Sequence, residues 1–134
     1  MAENLTDDIT QLKLNEDVEV DVITETDTVG EKDYEFEAEH DLFCLIVENT
    51  ATTDDVEITI KAGDYWQKGN EEYVPLEFTV GTTSARAVGP LESAKYLNED
   101  GKIEFNADMD GSTDDVDDLE FVILFMPAHG VARA

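Results

Sequence analysis

The stretch "YEFEAEHDLFCLIVEN", residues 34–49, contains the two hydropathy patterns that decide the fold of this protein. In its first half, Tyr34, Phe36 and Ala38 alternate with glutamates. Successive side chains of a β-strand point to opposite faces, so this alternation predicts a strand with one buried and one hydrated face. The second half, residues 42–49, is apolar at nearly every position. It therefore predicts a strand that is covered on both faces.

The same patterns recur along the chain. Alternation predicts further half-buried strands, whose apolar positions are Val18, Val20 and Val22; Val56, Ile58 and Ile60; Val74, Leu76, Phe78 and Val80; and Ile103, Phe105 and Ala107. Pro75 favours an edge strand because proline cannot donate a backbone hydrogen bond. The stretch "LEFVILFMP", residues 119–127, is a second strand that is apolar on both faces. Together these segments predict an all-β fold of about seven or eight strands, an antiparallel β-sandwich or jelly-roll-like domain, with a small barrel as the alternative.

The length of 134 residues suits one domain, and we expect it to span residues 17–134 behind an N-terminal arm, residues 1–16. In the arm, Leu5, Ile9 and Leu12 have the spacing of a short amphipathic helix, whereas Leu12 and Leu14 alternate as in a strand. Two interpretations of the arm are open. It is either a frayed terminus or a segment that becomes ordered on a neighbouring subunit.

A domain of this size has little material with which to cover both faces of two strands. We therefore expect another subunit to cover at least one of the two doubly apolar strands. The candidates for these subunit contacts are the apolar residues of the arm and of the second strand, namely Leu5, Ile9, Leu12, Leu14, Phe121, Ile123 and Phe125.

The chain is strongly acidic, with 34 Asp and Glu against 8 Lys and Arg and a net charge of -26. Salt screens charges over about 10 Å at 0.1 M and about 3 Å at 1 M, so molar salt would relieve the repulsion. Because carboxylates occur along nearly every predicted strand and turn, we interpret the chain as a salt-adapted protein of a halophile. A nucleic-acid mimic or a protein that binds a basic partner is the alternative. Direct binding to nucleic-acid phosphates is disfavoured by the charge.

No catalytic or cofactor motif is recognisable. The histidines His40 and His129 lie in no zinc-binding spacing, and no serine lies in a nucleophile-elbow context. Cys44 is the only cysteine, and its position within an apolar strand predicts a buried side chain. We therefore expect neither an enzyme nor a cofactor. The N-terminus has no signal-peptide pattern and no apolar run is long enough to cross a membrane, so we expect a soluble protein made in the cytoplasm.

The most acidic stretch is "DMDGSTDDVDDLE", residues 108–120. Counted from Asp108, it does not match the EF-hand calcium loop, because Gly111 comes two places early and Leu119 stands where glutamate is required. A looser Ca²⁺ or Na⁺ site formed by Asp108, Asp110 and Asp114 is one interpretation. A hydrated hairpin loop without a metal is the other.

Tyr65 and Trp66 form an aromatic pair in a loop bounded by Gly63 and Gly69. Such a pair can stack on a sugar or on a binding partner, or it can pack over the open end of a sandwich.

The order of features from residue 42 onward resembles a family of small virion structural proteins encoded beside the major capsid protein of tailed viruses. The segments that carry the resemblance are "LFCLIVENTATTDDVEITIKAG" (42–63), "PLEFTVGTTSARAVGPL" (75–91) and "DGKIEFNAD" (100–108), followed by the last apolar strand. Family members have an apolar strand ending in "KN" or "EN", then a "TVTI" strand, a Gly-Pro exit and an Asp-Gly turn. Here these features correspond to Asn49, Gly89-Pro90 and Asp100-Gly101.

The resemblance implies a β-sandwich decoration or cement protein without enzymatic activity. Such a protein would bind the major capsid protein on the outside of an icosahedral head and stabilise the head by bridging capsid subunits. It would itself be a homo-oligomer, with a trimer on local threefold axes as the preferred arrangement. The acidic surface would then indicate a tailed virus of a halophilic archaeon. A carbohydrate- or receptor-binding module of a spike, turret or tail, with the same fold, is the alternative.

Overall fold

The computed structural model describes residues 2–64, 74–109 and 113–127, and within these ranges the chain is built from β-strands and short 3₁₀ turns. The strands are β1 (Glu3–Asn4), β2 (Thr10–Gln11), β3 (Ile23–Thr24), β4 (Glu31–Glu37), β5 (Leu42–Asn49), β6 (Val56–Ile60), β7 (Leu76–Val80), β8 (Ser84–Glu92), β9 (Lys102–Met109) and β10 (Leu119–Phe125). The 3₁₀ turns are Thr6–Asp8, Ser93–Lys95 and Val116–Asp118. The predicted all-β fold is confirmed.

The strands form two sheets. Sheet A has the order β1-β4-β9-β6-β7, and sheet B has the order β2-β10-β5-β8, with β3 also paired to β10. The sheets face each other through aromatic side chains, since the Tyr34 ring of sheet A lies 4.9 Å from the Phe121 ring of sheet B. The architecture is therefore sandwich-like. Both sheets are mixed rather than purely antiparallel, because β1 runs parallel to β4 and β2 runs parallel to β10. The jelly-roll form of the prediction is not confirmed.

Alternation identified the core positions of the central strands correctly. On the inner face of sheet A the fully buried side chains are Tyr34, Phe36, Val56, Ile58, Ile60, Ile103, Phe105 and Ala107. Strand β7 is at the edge of sheet A, as Pro75 indicated. Its burial is incomplete, because only Val80 is buried while Val74, outside the strand, is 74% exposed.

The predicted strand at residues 18–22 is wrong. These residues are not in a strand, and Val20 and Val22 are 41% and 55% exposed. The buried positions begin one residue later, at Ile23 and Glu25, where Ile23 pairs with Phe121 of β10. The alternation of valine with acidic residues is the same for a half-buried strand and for an exposed extended segment, so the pattern alone does not distinguish them.

The first residues of the chain contribute to both sheets. Strand β1 adds to β4, strand β2 adds to β10, and the backbone N–H of Leu5 donates to the Glu35 carbonyl at 2.7 Å. The Leu5 side chain is fully buried in the core between these strands, rather than projecting from a separate arm. Residues 2–24 thus cover one side of the sandwich, along the edges of β4 and β10.

The other side of the sandwich is bordered by β7 and β8. A turn at residues 81–83 joins these strands, and an Arg86 guanidinium nitrogen donates to the Thr79 carbonyl at 3.1 Å across the gap between the sheets. The hairpin before β9 also has the expected geometry, because Gly101 has a φ of +77°. That value lies in the left-handed region, which glycine adopts without a steric penalty.

Candidate functional site

The outer face of sheet B is apolar. On β5 it carries Cys44 and Ile46, and on β10 it carries Leu124 and Val122, which are their direct partners in the strand register. All four side chains are half-buried, although the fold provides no second layer over them within the described residues. This group of four residues, the apolar face, confirms that β5 and β10 are apolar on both sides.

The apolar face has defined borders. Glu48 and Glu120, which pair across β5 and β10, bound it at one end. Ala87 of β8 extends it sideways, since Ala87 is the register partner of Ile46. On the other side, continuing the antiparallel register of β3 by one residue places the exposed Val22 opposite Val122. The valine that was predicted to be buried therefore adds to an exposed apolar surface.

The predicted contact residues of β10 are on the opposite side of the strand. Phe121, Ile123 and Phe125 are at most 1% exposed and belong to the core, so their prediction as subunit-contact residues is wrong. Their neighbours on the outer side, Val122 and Leu124, are the accessible residues. In a strand that is apolar on both sides, hydropathy does not reveal which side faces inward. The aromatic side chains fill the core because they occupy the most volume.

The four predicted contact residues of the N-terminal segment have different environments. Leu5 is fully buried in the core of its own chain, so it too is unavailable for subunit contacts, and Ile9 packs against the same core. Leu12 and Leu14 line an open groove of about 400 Å³ together with His40 and Pro127. Leu14 is 42% exposed and is the most accessible of the four.

In contrast to the apolar face, the outer face of sheet A is charged. Strand β4 presents Glu31, Asp33, Glu35 and Glu37 on this side, and two lysines lie near acidic residues of this face, one on the neighbouring strand β9 and one directly after β6. Lys102 Nζ lies 2.6 Å from Glu35 Oε2, and Lys61 Nζ lies 3.3 Å from Glu104 Oε2. The ion pair with Glu35 raises the pKa of Lys102 above its ordinary value. The two outer faces of the sandwich are therefore chemically opposite.

A cluster of three carboxylates lies where the N-terminal segment meets β4. The side chains of Glu3, Glu25 and Asp27 bring oxygen atoms within 4.8 Å of one another, in a geometry that could hold a cation. Lys32 already occupies this position. Its ammonium forms an ion pair with Glu3, lies 3.0 Å from Glu25 Oε1 and lies 2.5 Å from Asp27 Oδ2. An amino group of the chain itself therefore lies where a cation would bind and offsets part of the negative charge of the cluster.

Within this cluster Glu25 is only 5% exposed, yet its carboxylate has hydrogen-bond donors on both oxygens. The Tyr34 hydroxyl donates to Oε1 at 2.7 Å, and the backbone N–H groups of Thr26 and Asp27 donate to Oε2 at 2.8 Å. Burial acts to raise the pKa of Glu25, but the hydrogen bonds from Asp27, Tyr34 and Lys32 outweigh it and hold that pKa below its ordinary value. Burial and the adjacent Glu25 raise the pKa of Tyr34, so its hydroxyl keeps its proton.

Two of the three predicted metal ligands are within the described residues. Asp108 lies on β9 and pairs with Glu31, on the outer face of sheet A. Asp114 Oδ2 accepts hydrogen bonds from the Thr53 and Asp54 N–H groups, while Asp54 Oδ2 accepts from the Thr113 and Asp114 N–H groups. Each of the two aspartates thus accepts hydrogen bonds from the backbone of the other's loop, and these bonds hold the two loops together. Asp110 lies outside the described residues, and the metal site stays a prediction.

The serine, histidine and cysteine side chains that could take part in catalysis contact neighbouring parts of the fold. Ser93 Oγ donates to the His40 carbonyl at 2.6 Å, and the His40 ring lies 5.2 Å from the Phe125 ring. Cys44 is on the outer side of β5 and is half-buried, rather than in the core as expected. Burial raises the pKa of its thiol, which reduces the thiolate population at neutral pH. His129, Tyr65 and Trp66 lie outside the described residues, so the proposed stacking platform is untested.

Comparison with known proteins gave no match. No family model matches this sequence, and neither curated proteins nor solved structures yielded a similar chain. None of the helical segments within the described ranges is long and apolar enough to cross a membrane. The surface chemistry of the two sheets is therefore the main guide to function.

Sequence reasoning placed Asn49 at the end of an apolar strand but missed its role in organising the loops near the apolar face. Asn49 at the end of β5 is fully buried, and its Nδ2 donates to the Asp54 and Val80 carbonyls at 3.1 and 3.3 Å. Its Oδ1 accepts from the Ala51 N–H at 2.9 Å. The only signal in the sequence was an amide residue that ends an apolar run and precedes a turn-rich segment.

Proposed function

We propose that this protein is a virion structural protein, a decoration or cement protein that binds the outside of an icosahedral capsid. The observation that carries the proposal is the apolar face of sheet B, on a chain whose net charge is -26. A surface without charge on so acidic a protein suits a permanent contact with another protein. The resemblance of residues 42–108 to head-associated proteins of tailed viruses supplies the class of partner, the major capsid protein.

The proposed mechanism is adhesion through apolar area. In molar salt, charge pairs at an interface are strongly screened, whereas the burial of apolar surface does not depend on charge. Contacts made by Ile46, Val122 and Leu124 would therefore retain their strength under the conditions in which an acidic chain folds best. The carboxylates of sheet A would face the solvent and keep the decorated particle hydrated. The host would be a halophilic archaeon, with synthesis in the host cytoplasm.

Rebinding to capsids tests the proposed surface. Purified capsids stripped of this protein are mixed with wild-type chain, with an Ile46→Glu variant or with a Thr59→Glu variant, and the bound fraction is measured by sedimentation. Thr59 is the matched control because it is half-buried on the outer face of sheet A. We expect Ile46→Glu to lose tenfold or more in affinity, roughly 1.4 kcal/mol, because a carboxylate would be desolvated at the contact. We expect Thr59→Glu to bind like the wild type.

Particle location and stability test the function itself. Cryo-electron microscopy of virions should place the chain at regular positions on the head exterior, and capsids without it should rupture sooner on heating or dilution into low salt. Equal resistance of complete and deficient capsids would contradict a cement role. Density at the tail or on a spike would favour the carbohydrate- or receptor-binding alternative.

A further inference from the structure

Strand β8 has an unusual charge for this chain. No acidic residue occurs between Glu77 and Glu92, and the only charged residue in that interval is Arg86. The interval includes nearly all of β8, which has nine residues and is one of the longest strands in the structure. Most of β8 therefore has no carboxylate, although acidic residues make up a quarter of the whole chain.

Strand β8 also has a free edge. It is the last strand of sheet B, and no other strand among the described residues pairs with the side that faces away from β5. Ser84, Ala85, Arg86 and Ala87 are all exposed, so the strand is accessible from both faces. In an antiparallel ladder, alternate residues direct their backbone N–H and C=O groups away from the neighbouring strand. These groups are available to another strand, whereas residues 2–24 already cover the opposite edge of the sheet.

We propose that the free edge of β8 pairs antiparallel with the β8 strand of a second copy of this chain. Two copies that each carry a charge of -26 repel each other wherever carboxylates are in direct contact, since molar salt screens charges only over distances beyond about 3 Å. The acid-free edge of β8 avoids that repulsion, and pairing the same strand twice gives a closed twofold dimer. The two B sheets would then form one continuous sheet, and the two apolar faces would lie side by side on the same surface.

The sequence of β8 selects the register of this pairing. A twofold axis perpendicular to the sheet keeps each side chain on its own face, so one residue must lie directly opposite itself. Pro90 has no N–H to donate, which restricts the ladder to residues 84–89 and places its centre at Arg86 or Ala87. Centring on Arg86 would put two guanidinium groups side by side. Centring on Ala87 places Arg86 opposite Val88, and we therefore assign Ala87 to the axis.

The dimer does not depend on the capsid function proposed above. The trimer expected from the resemblance would instead require different surfaces of each subunit to meet around a threefold axis. The oligomer mass and the position of a cross-link therefore decide between the two arrangements without any capsid being present.

Cross-linking tests the register. In a Cys44→Ser background, we compare Ala87→Cys with Ala85→Cys under mild oxidation in molar KCl. Directly opposed residues have Cβ atoms about 4.5–5.5 Å apart, close enough for a disulfide after a small adjustment, whereas two copies of residue 85 would be about 13 Å apart along the strands. We expect Ala87→Cys to form a covalent dimer at least fivefold faster than Ala85→Cys. Equal or reversed rates would overturn the register.

Sedimentation of the full chain tests the dimer itself. The wild type at micromolar concentration in molar KCl should have twice the chain mass of 14.9 kDa. Ala87→Glu should sediment as a monomer, because two carboxylates would lie directly opposite each other at the axis, where their lost hydration and contact repulsion persist in molar salt. Thr28→Glu, which adds the same charge to an exposed loop between β3 and β4, should stay dimeric. A monomeric or trimeric wild type, or a dimeric Ala87→Glu, would overturn the proposal.

Discussion

At the scale of single residues, Glu25 shows how this chain tolerates a carboxylate in its interior. The side chain is almost completely buried, but it accepts hydrogen bonds from Tyr34 and from two backbone N–H groups and lies beside the Lys32 ammonium. Ionised groups are buried in proteins only when such partners replace the lost water. Glu25 therefore stabilises the folded state as long as its carboxylate is ionised.

The lowered pKa of Glu25 gives that contribution a defined pH dependence. A group whose pKa is depressed by folding stabilises the folded state above its unfolded pKa, about 4.3 for glutamate, and loses this effect as the pH falls through the folded value. We expect Glu25→Gln to lower the free energy of unfolding by about 1–2 kcal/mol at pH 7. The difference from the wild type should shrink below about pH 4.

Denaturant titration of both proteins between pH 7 and pH 3, in constant molar salt, measures this difference. Glu57→Gln is the control, because it removes the same charge from an exposed position. A difference for Glu25→Gln that stays constant over the whole pH range would show that its carboxylate charge has no part in stability.

Asn49 provides a second prediction at this scale, because its amide nitrogen donates to two buried carbonyl groups. In Asn49→Asp an oxygen would replace this nitrogen and face both carbonyls, so we expect a loss of about 2–3 kcal/mol in the free energy of unfolding. Asn4→Asp is the matched control, since among the described residues the Asn4 side chain forms hydrogen bonds only through Oδ1, which accepts from the N–H and hydroxyl of Thr6. We expect almost no change for the control in thermal unfolding. Similar losses in both variants would contradict the assigned roles.

At the scale of secondary-structure elements, the contact between β5 and β8 depends on one glycine. Gly89 has a φ of +127°, and a Cβ atom built there would lie 2.8 Å from Cys44 Sγ and from the Phe43 carbonyl oxygen. The strand register is irregular at this point, between Phe43 and Leu45. A side chain at position 89 would therefore force the two strands apart.

Gly89→Ala should consequently destabilise the fold, by about 2–4 kcal/mol, through backbone strain and steric overlap. Gly81→Ala is the control, because a Cβ atom at position 81 would have Ser84 Oγ as its nearest neighbour, at 3.6 Å, which is an ordinary contact. Urea denaturation in molar KCl measures both variants. Equal midpoints would mean that β8 shifts without cost and that the close approach is not required.

How much of the fold could be predicted from the sequence depended on the strand. Alternation identified β4, β6 and β9 because their polar and apolar positions separate cleanly. It failed at residues 18–22, where the same pattern occurs in an exposed segment. It was also uninformative for β10, where both faces are apolar and only packing volume decides that Phe121 faces inward.

The candidate site was predicted only in part. An apolar second face on β5 and β10 followed from the sequence, whereas the side chains that form it did not. The cluster around Glu25 could not be predicted, because it needs Lys32 and Tyr34 at the correct positions after folding. Contacts of this kind depend on strand register, which hydropathy does not specify across distant segments.

At the scale of the whole molecule, charge is distributed unequally between the two sheets. Carboxylates crowd the outer face of sheet A, with Lys61 and Lys102 as the cations among them, while the outer face of sheet B is apolar. Repulsion within sheet A opposes folding at low ionic strength and is screened in molar salt.

We therefore expect the thermal unfolding midpoint to rise by about 10 °C or more between 0.1 M and 2 M KCl, as screening adds a few kcal/mol to stability. The double variant Glu37→Gln and Glu57→Gln removes two exposed carboxylates and should depend less on salt. Circular dichroism during heating measures both proteins. A midpoint that does not change with KCl would contradict adaptation to high salt.

The parallel pairing of β2 with β10 has a consequence for synthesis. Thr10 and Gln11 pair with Leu124 and Phe125. Residues that are translated early can therefore form their strand pairing only after residues more than one hundred codons later have been translated. Contacts between such distant positions close slowly because a long loop must be ordered first. Sheet B therefore cannot take up its N-terminal strand β2 until Phe125 has left the ribosome.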